Sequence, residues 1–188
     1  LQEWFYVAED FESIVEAACD YAEKIVKHLR GRVHLWYVAS GFNSLNDLEL
    51  SEEQIIVLSV NVLEAIRKSD SMTPVVFGID MPFGEYLGRE ENAISPIHFA
   101  DALLRSDLGL NGFALEINYG VWPHGTPWHD AIDLSNLLDL WSTLGIPMIL
   151  SLSGELSKHH GPVSSKYNPI AGWKLPSPPS RPEELHGL

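Results

Sequence analysis

The chain has 188 residues, 45% of them hydrophobic, and a formal net charge of −14 from 26 acidic and 12 basic residues. This composition is typical of a soluble globular protein that buries the core of one domain. The negative charge argues against nucleic acid or an anionic membrane surface as the main partner, and no apolar run approaches the length of a membrane span. Cys19 is the single cysteine, which excludes an internal disulfide and a cysteine metal site.

The chain alternates apolar strand-like runs with amphipathic helical stretches. An apolar run, "EWFYVAE", opens the chain and is a candidate additional strand. Helices are then predicted at 10–31, 51–69, 95–109 and 128–145, and strands at 33–40, 74–82, 112–120 and 146–153. Ser51 before the second helix, and Gly31, Gly109 and Gly145 after three helices, are typical helix-end residues. The strands are almost continuously apolar, which indicates a parallel sheet covered on both faces.

This βα repeat predicts an α/β fold of parallel strands. An open doubly wound sheet that binds a nucleotide needs a glycine-rich turn after a strand, and none of these strands has one. We therefore predict a (β/α) barrel of the TIM type, present here as a partial barrel over residues 1–153. Residues 154–188 are rich in Gly, Pro and Ser, which predicts a long loop and tail.

Polar and aromatic residues gather where the strands end. The residues at the strand ends are Ser40, Asn43 and Asn46 after the first strand, Asp80, Pro82, Phe83, Glu85 and Tyr86 after the second, Glu116, Asn118, Tyr119, Trp122, His124 and Trp128 after the third, and Ser151, Ser153 and Glu155 after the fourth. Carboxylates, amides and aromatic rings without a basic cluster suit a neutral polyhydroxylated ligand. Glu116 lies inside an apolar strand, where an unpaired carboxylate is costly unless it faces a solvated cavity, and this favours a functional role.

Other residues have simpler explanations. Asp80 is equally explained as a strand-ending residue that bonds local backbone, and Glu85 as a solvated loop residue. His124, His129 and Asp130 lack the spacing of a helical zinc motif, so we expect neither a metal nor a cofactor. Ser40 and Ser151 lack the nucleophile elbow of serine hydrolases.

Three segments resemble glycoside hydrolase family 10, the endo-1,4-β-xylanase family of (β/α)8 barrels. "GRVHLWYVASGFN" resembles the strand that carries the family's acid/base glutamate, "LNGFALEINYG" a following strand, and "LGIPMILSLSGE" the strand that carries its nucleophile. The resemblance covers roughly residues 10 to 155. Both usual glutamates are absent, because Gly41 follows Ser40 and Leu152 follows Ser151 at the corresponding places.

The resemblance implies a protein that acts on a polysaccharide such as xylan or a β-glucan. A relocated carboxylate pair would then join Glu116 to Asp80 or Glu85. Trp36, Tyr119 and Trp122 would form sugar platforms, and Asn43 and Asn118 would bind hydroxyl groups. The alternative is a non-catalytic carbohydrate-binding barrel, and a purely structural domain would leave Glu116 unexplained. Secretion or a periplasmic location is plausible only by analogy with the family.

Five or fewer strands do not close a barrel, and open edge strands invite association. We therefore expect either an excerpt of a longer chain, which we favour, or an obligate homo-oligomer.

Overall fold

The computed structural model describes residues 10–44, 48–88, 93–119, 126–127 and 129–154. Its helices are α1 (Phe11–Leu29), α2 (Glu52–Ser69), α3 (Pro96–Arg105) and α4 (Ala131–Ser142), and its strands are β1 (Trp36–Val38), β2 (Val75–Asp80), β3 (Gly112–Tyr119) and β4 (Met148–Gly154). Short 3-10 turns follow the first two strands, at Phe42–Ser44 and Glu85–Gly88. The segment "EWFYVAE" and residues 155–188 lie outside the described residues, so the predictions about them remain predictions.

The four strands form one parallel sheet in the order β1-β2-β3-β4, with a helix between each pair. The predicted α/β fold with parallel strands is therefore confirmed. Helix ends follow the residues that predicted them: Ser51 caps α2 in a capping box with Gln54. Gly31, Gly109 and Gly145 all adopt positive φ, which glycine reaches without steric cost. Within the described residues, no helix is both long and apolar enough to cross a membrane.

The two faces of the sheet differ in chemistry. Successive side chains of a strand point to opposite faces. One face packs against the helices and supplies the sheet's share of the apolar core, including Val38, Phe77, Phe113, Leu115 and Ile117. We call the other the polar face. Val76, Gly112 and Ile149 lie on it near the strand starts, and toward the strand ends it carries Tyr37, Gly78, Asp80, Ala114, Glu116, Asn118, Ser151 and Ser153. Small and polar residues on this face leave room for a site at the strand ends.

Strand β1 is shorter than the predicted 33–40, because the extended backbone holds only from Trp36 to Val38. Ala39 has φ 48°, which is unusual for a residue with a Cβ and ends the strand. At the start of the strand, Trp36 is buried and its Nε1 donates to Asp70 Oδ2 at 3.0 Å. This bond ties the end of α2 to the beginning of β1.

Asp70 collects donors from three residues. Its carboxylate accepts the Thr73 hydroxyl at 2.7 Å, the Trp36 indole, and the backbone N–H groups of Met72 and Thr73. These bonds, led by that of the Thr73 hydroxyl and followed by that of Trp36, hold the pKa of Asp70 well below its usual range. Ionised Asp70 therefore favours the folded state.

Replacing Asp70 with Asn should destabilise the protein at neutral pH and have little effect in acid. Because the folded-state pKa is depressed, the stabilisation is present above the unfolded-state pKa of about 3.9 and is lost as pH falls toward the folded-state value. Urea unfolding of D70N and the parent at neutral and acidic pH measures the difference. If the free energy of unfolding of D70N were lower than that of the parent by the same amount at every pH, the expectation would be contradicted.

Candidate active site on the polar face

Glu116 lies on β3 and both of its carboxylate oxygens accept hydrogen bonds from the β1 side. Oε1 accepts the Tyr37 hydroxyl, and Oε2 accepts Ser40 Oγ at 2.5 Å. Glu116 is 8% exposed, so these donors replace the water that it loses on burial. The glutamate that the sequence singled out is therefore neither an unpaired core charge nor a solvated surface residue.

Gly78 on β2 makes room for this arrangement. A Cβ at this position would lie 2.8 Å from the Ala39 carbonyl oxygen, 3.0 Å from Glu116 Oε1 and 3.1 Å from the Tyr37 hydroxyl. Tyr37 and Glu116 thus meet across the strand between them, above a residue without a side chain. The hydrogen bond between β1 and β3 depends on glycine at this point of β2.

Tyr37 is kept in its protonated form. Burial raises the pKa of the Tyr37 hydroxyl, and the hydrogen bond to Glu116 and the charges of Glu116 and Asp80 raise it further. The tyrosine is nevertheless 46% exposed, so its ring borders solvent beside the carboxylate. Tyr37 therefore acts as a hydrogen-bond donor whose side chain remains partly exposed.

Asp80 is the register partner of Glu116 on the adjacent strand, and both side chains lie on the polar face. Asp80 is buried; its Oδ2 accepts Ser44 Oγ at 3.1 Å and its Oδ1 accepts Asn118 Nδ2 at 3.4 Å. Adjacent parallel strands are about 4.8 Å apart, which makes the two carboxyl groups neighbours. The structure thus brings together Glu116 and Asp80, two of the three predicted catalytic carboxyl groups.

Asn43 fixes the backbone of Asp80. Its Oδ1 accepts the Asp80 N–H at 2.9 Å, and its Nδ2 donates to the Asp80 carbonyl at 2.8 Å and to the Tyr86 hydroxyl at 3.2 Å. Tyr86 in turn donates to the Ile94 carbonyl at 2.6 Å. Asn43 is 1% exposed, so it positions Asp80 and is not available to bind a sugar hydroxyl as predicted.

Asn118 has the more open position that its predicted role requires. Its Nδ2 donates to Asp80 and its Oδ1 accepts Ser153 Oγ at 2.5 Å. It is half-buried, and Ser151 and Ser153 beside it on β4 are exposed. These amide and hydroxyl groups form the accessible border of the carboxylate pair.

Glu85, the third predicted carboxyl group, lies in a separate cluster with Thr126 and His129. Its Oε1 is 3.9 Å from His129 Nε2. In the part of the chain that the structure describes, no group forms a hydrogen bond with either Glu85 oxygen, with Thr126 Oγ1 or with His129 Nε2. Burial is the largest effect on Glu85 and raises its pKa. Its own backbone amide, the Thr126 hydroxyl and His129 lower the pKa by smaller amounts, and the charge of Asp80 raises it. The Thr126 hydroxyl lowers the pKa of Glu85 but does not meet the geometric criteria of a hydrogen bond to it.

Two of the predicted aromatic platforms, Trp36 and Tyr119, lie on the helix-facing side of the sheet, opposite to Glu116. Trp36 packs into the helix-facing core and donates a hydrogen bond to Asp70, so it is not positioned to stack on a sugar, in contrast to the prediction. Tyr119 packs against that same core, and burial, followed by the charge of Glu85, raises its pKa. Trp122 lies outside the described residues. Within the described segments, no group of three or more His, Cys, Asp or Glu side chains is arranged to hold a metal ion.

The sequence reasoning missed Tyr37, Ser44 and Gly78 as site residues. Tyr37 is adjacent to Trp36, and only the strand register decides which of the two faces the site. Gly78 interrupts the apolar run "PVVFGID", and a glycine inside a strand is itself a signal of close approach by another group. Read in that way, Gly78 would have pointed to the site.

Replacing Gly78 with Ala should destabilise the protein by about 1–3 kcal/mol, because the added methyl overlaps the Ala39 carbonyl and the Glu116–Tyr37 pair. Gly88 is the matched control, since a Cβ there meets nothing within 4 Å. Urea unfolding of G78A, G88A and the parent gives the comparison. Equal stability of G78A and G88A would contradict the need for a residue without a side chain at position 78.

Replacing Glu85 with Gln should stabilise the protein at neutral pH. Burial raises the folded-state pKa of Glu85, so protonated Glu85 favours the folded state. This stabilisation is fully present below the unfolded-state pKa of about 4.3 and is lost as pH rises through the folded-state pKa. The difference in the free energy of unfolding between E85Q and the parent should therefore increase from acidic to neutral pH. Urea midpoints across that range test it, and a gap that narrows would refute the burial of an uncompensated carboxyl group.

No family model matches the sequence, and the curated proteins contain no match to it. Solved structures do match. A Thermobacillus composti GH10 xylanase has a TM-score of 0.53 at 14% identity, over 90% of this chain and 49% of that one. A GH10 protein from Paenibacillus barcinonensis has a TM-score of 0.51 at 14% identity, over 82% of this chain and 47% of that one. The chain spans about half the length of these structures, and the likeness shows its fold: part of a TIM-type barrel like that of glycoside hydrolases.

Proposed function

We propose that this chain acts on a polysaccharide as a glycoside-hydrolase-like barrel in which Glu116 and Asp80 form the carboxylate pair. The observation that carries the proposal is their position: register partners on adjacent parallel strands, on one face, near the strand C-termini. In TIM-type barrels, chemistry gathers at that end of the strands. The fold shared with the GH10 xylanases supports the reaction class.

Glycoside cleavage uses two carboxyl groups, about 5–5.5 Å apart for retention of stereochemistry or about 6.5–9.5 Å apart for inversion. Glu116 is held by Tyr37 and Ser40, and in this proposal its negative charge faces the sugar carbon on which positive charge develops. In this proposal Asp80, held by Ser44 and Asn118, is the second carboxyl group and faces the oxygen of the departing sugar. Both roles use residues whose positions are fixed by hydrogen bonds before a substrate arrives.

The surroundings of the pair suit a neutral ligand with many hydroxyl groups. Asn118, Ser151 and Ser153 offer amide and hydroxyl groups at the accessible border, and Tyr37 offers part of an aromatic ring. None of these side chains carries a positive charge that would select a phosphate or carboxylate ligand. We therefore infer xylan or a β-glucan as the class of substrate, bound along the polar face.

A non-catalytic carbohydrate-binding protein is the second candidate. The observation that favours it is the occupation of both Glu116 oxygens by Tyr37 and Ser40, which makes the carboxylate a fixed acceptor. A fixed acceptor binds sugar hydroxyls without any need for proton transfer. The two candidates share the same residues and differ in turnover alone.

Hydrolysis of xylan and β-glucan by the parent should fall by about 100-fold or more in Glu116→Gln and in Asp80→Asn, since positioned acid–base groups contribute roughly 10²–10⁴ to the rate. Exposed Glu16 and Asp139 provide matched controls: E16Q and D139N carry the same changes and should retain parental activity. Release of reducing sugar measures turnover.

Binding of the same polysaccharides, measured by affinity electrophoresis, separates the two candidates. Retained binding of the parent with no turnover would select the binding protein. Turnover that is unchanged in E116Q would remove Glu116 from the mechanism, and the absence of both binding and turnover in the parent would refute the proposed function.

A further inference from the structure

The Glu85 cluster contains a buried carboxyl group, an imidazole and an exposed carboxylate in a row. The side chain of Glu85 is 10% exposed, that of His129 18% and that of Asp133 53%. His129 Nε2 is 3.9 Å from Glu85 Oε1, and His129 Nδ1 is 3.4 Å from Asp133 Oδ2. The row leads from the inside of the molecule to its surface.

The imidazole ring is held in the orientation that this row needs. It stacks on Phe83 with a centroid separation of 3.7 Å and an interplanar angle of 11°. The ring precedes α4, whose N-cap is Asp130 and whose first turn contains Asp133. In the tautomer with its proton on Nδ1, the ring donates toward Asp133 and Nε2 is an acceptor toward Glu85.

We propose that Glu85, His129 and Asp133 form a proton-exchange path between a buried carboxyl group and solvent. Three observations support it: the geometry of the row, the stacking of the ring on Phe83, and the fact that no described residue forms a hydrogen bond with the two Glu85 oxygens or His129 Nε2. A protonated Glu85 that turns toward Nε2 satisfies one oxygen and the imidazole nitrogen at once. A cavity of about 300 Å³ lined by Phe83, His129 and Asp133 connects the outer end to water.

The exchange balances in both directions. For release, the Glu85 O–H bond breaks and an N–H bond forms at Nε2, while the Nδ1 proton passes to the Asp133 carboxylate and on to water. For uptake, a proton from Asp133 reaches Nδ1 and the Nε2 proton returns to Glu85, which restores the first tautomer. No oxidant, metal or co-reactant takes part.

Other charged groups set the protonation of Glu85. Among the described residues, Asp80 on β2 disfavours its ionised form, whereas His129 favours it, and Tyr119 on β3 responds to its charge. Because Asp80 belongs to the proposed catalytic pair, its charge couples the protonation of Glu85 to that pair. The significance of this coupling rests on the proposed function; the exchange itself does not.

Infrared spectroscopy of the carboxyl C=O stretch tests the path without any assay of hydrolysis. The band that disappears in Glu85→Gln identifies Glu85. In the parent, the Glu85 band should titrate at a higher pH than the bands of exposed glutamates. After a sudden change of pH, its intensity should change faster than in the His129 variant. In His129→Gln the pH-jump response should slow by about tenfold or more, because the replacement cannot take and release protons.

His98 supplies the matched control, since it is exposed on α3 and H98Q should respond like the parent. Asp133→Asn should slow the response less than H129Q, because water reaches the outer nitrogen of the ring through the cavity. Circular dichroism confirms that each variant is folded. A Glu85 band that titrates like an exposed glutamate, or a pH-jump response in H129Q equal to that of H98Q, would overturn the proposal whatever the outcome of the hydrolysis assay.

Discussion

A carboxylate buried in a sheet must receive hydrogen bonds, and this requirement for Glu116 shapes much of the polar face. Its two donors, Tyr37 and Ser40, come from β1 and from the turn that follows it, two strands away in the sheet. They reach Glu116 because Gly78 leaves the space above β2 open. An unsatisfied buried carboxylate would cost several kcal/mol, so donors, glycine and register form one interdependent arrangement.

The same requirement is visible in the backbone where the strands end. Ala39 after β1 and Met81 after β2 both have positive φ, at 48° and 44°, and such a conformation costs about 1–3 kcal/mol in a residue with a side chain. The turn at Ala39 carries Ser40 to Glu116 Oε2, and Asn43 binds the backbone of Asp80 immediately before Met81. Two of the four described non-glycine residues with positive φ therefore adjoin the residues that hold the two carboxyl groups; the other two are Glu49 and Asp107.

The sequence predicted the elements well and the faces poorly. Parallel strands, four helices and several of their terminal residues follow from local periodicity and from glycine. The choice between Trp36 and Tyr37 does not, because "VHLWYVAS" is apolar throughout and a shift of one residue exchanges the faces. Glu116 was identified since a charge interrupts an apolar run. The approach of His129 to Glu85 spans 44 positions and depends on α4 packing, which no local pattern contains.

The polar face also departs from the usual interior of a TIM-type barrel, where layers of side chains from alternate strands are dominated by Val, Ile and Leu. Here the alternate strands β1 and β3 contribute Tyr37 and Glu116 to one layer, and the two side chains meet over Gly78 of β2. In place of apolar packing, this layer contains a hydrogen-bond donor and its carboxylate acceptor. Apolar residues would fill this space with better packing, because they need no donors and bury more surface. The layer therefore packs less favourably than an apolar layer would, and holds a fixed negative charge near the strand ends instead. Such a local departure from the most stable packing is typical of sites that bind a ligand or catalyse a reaction.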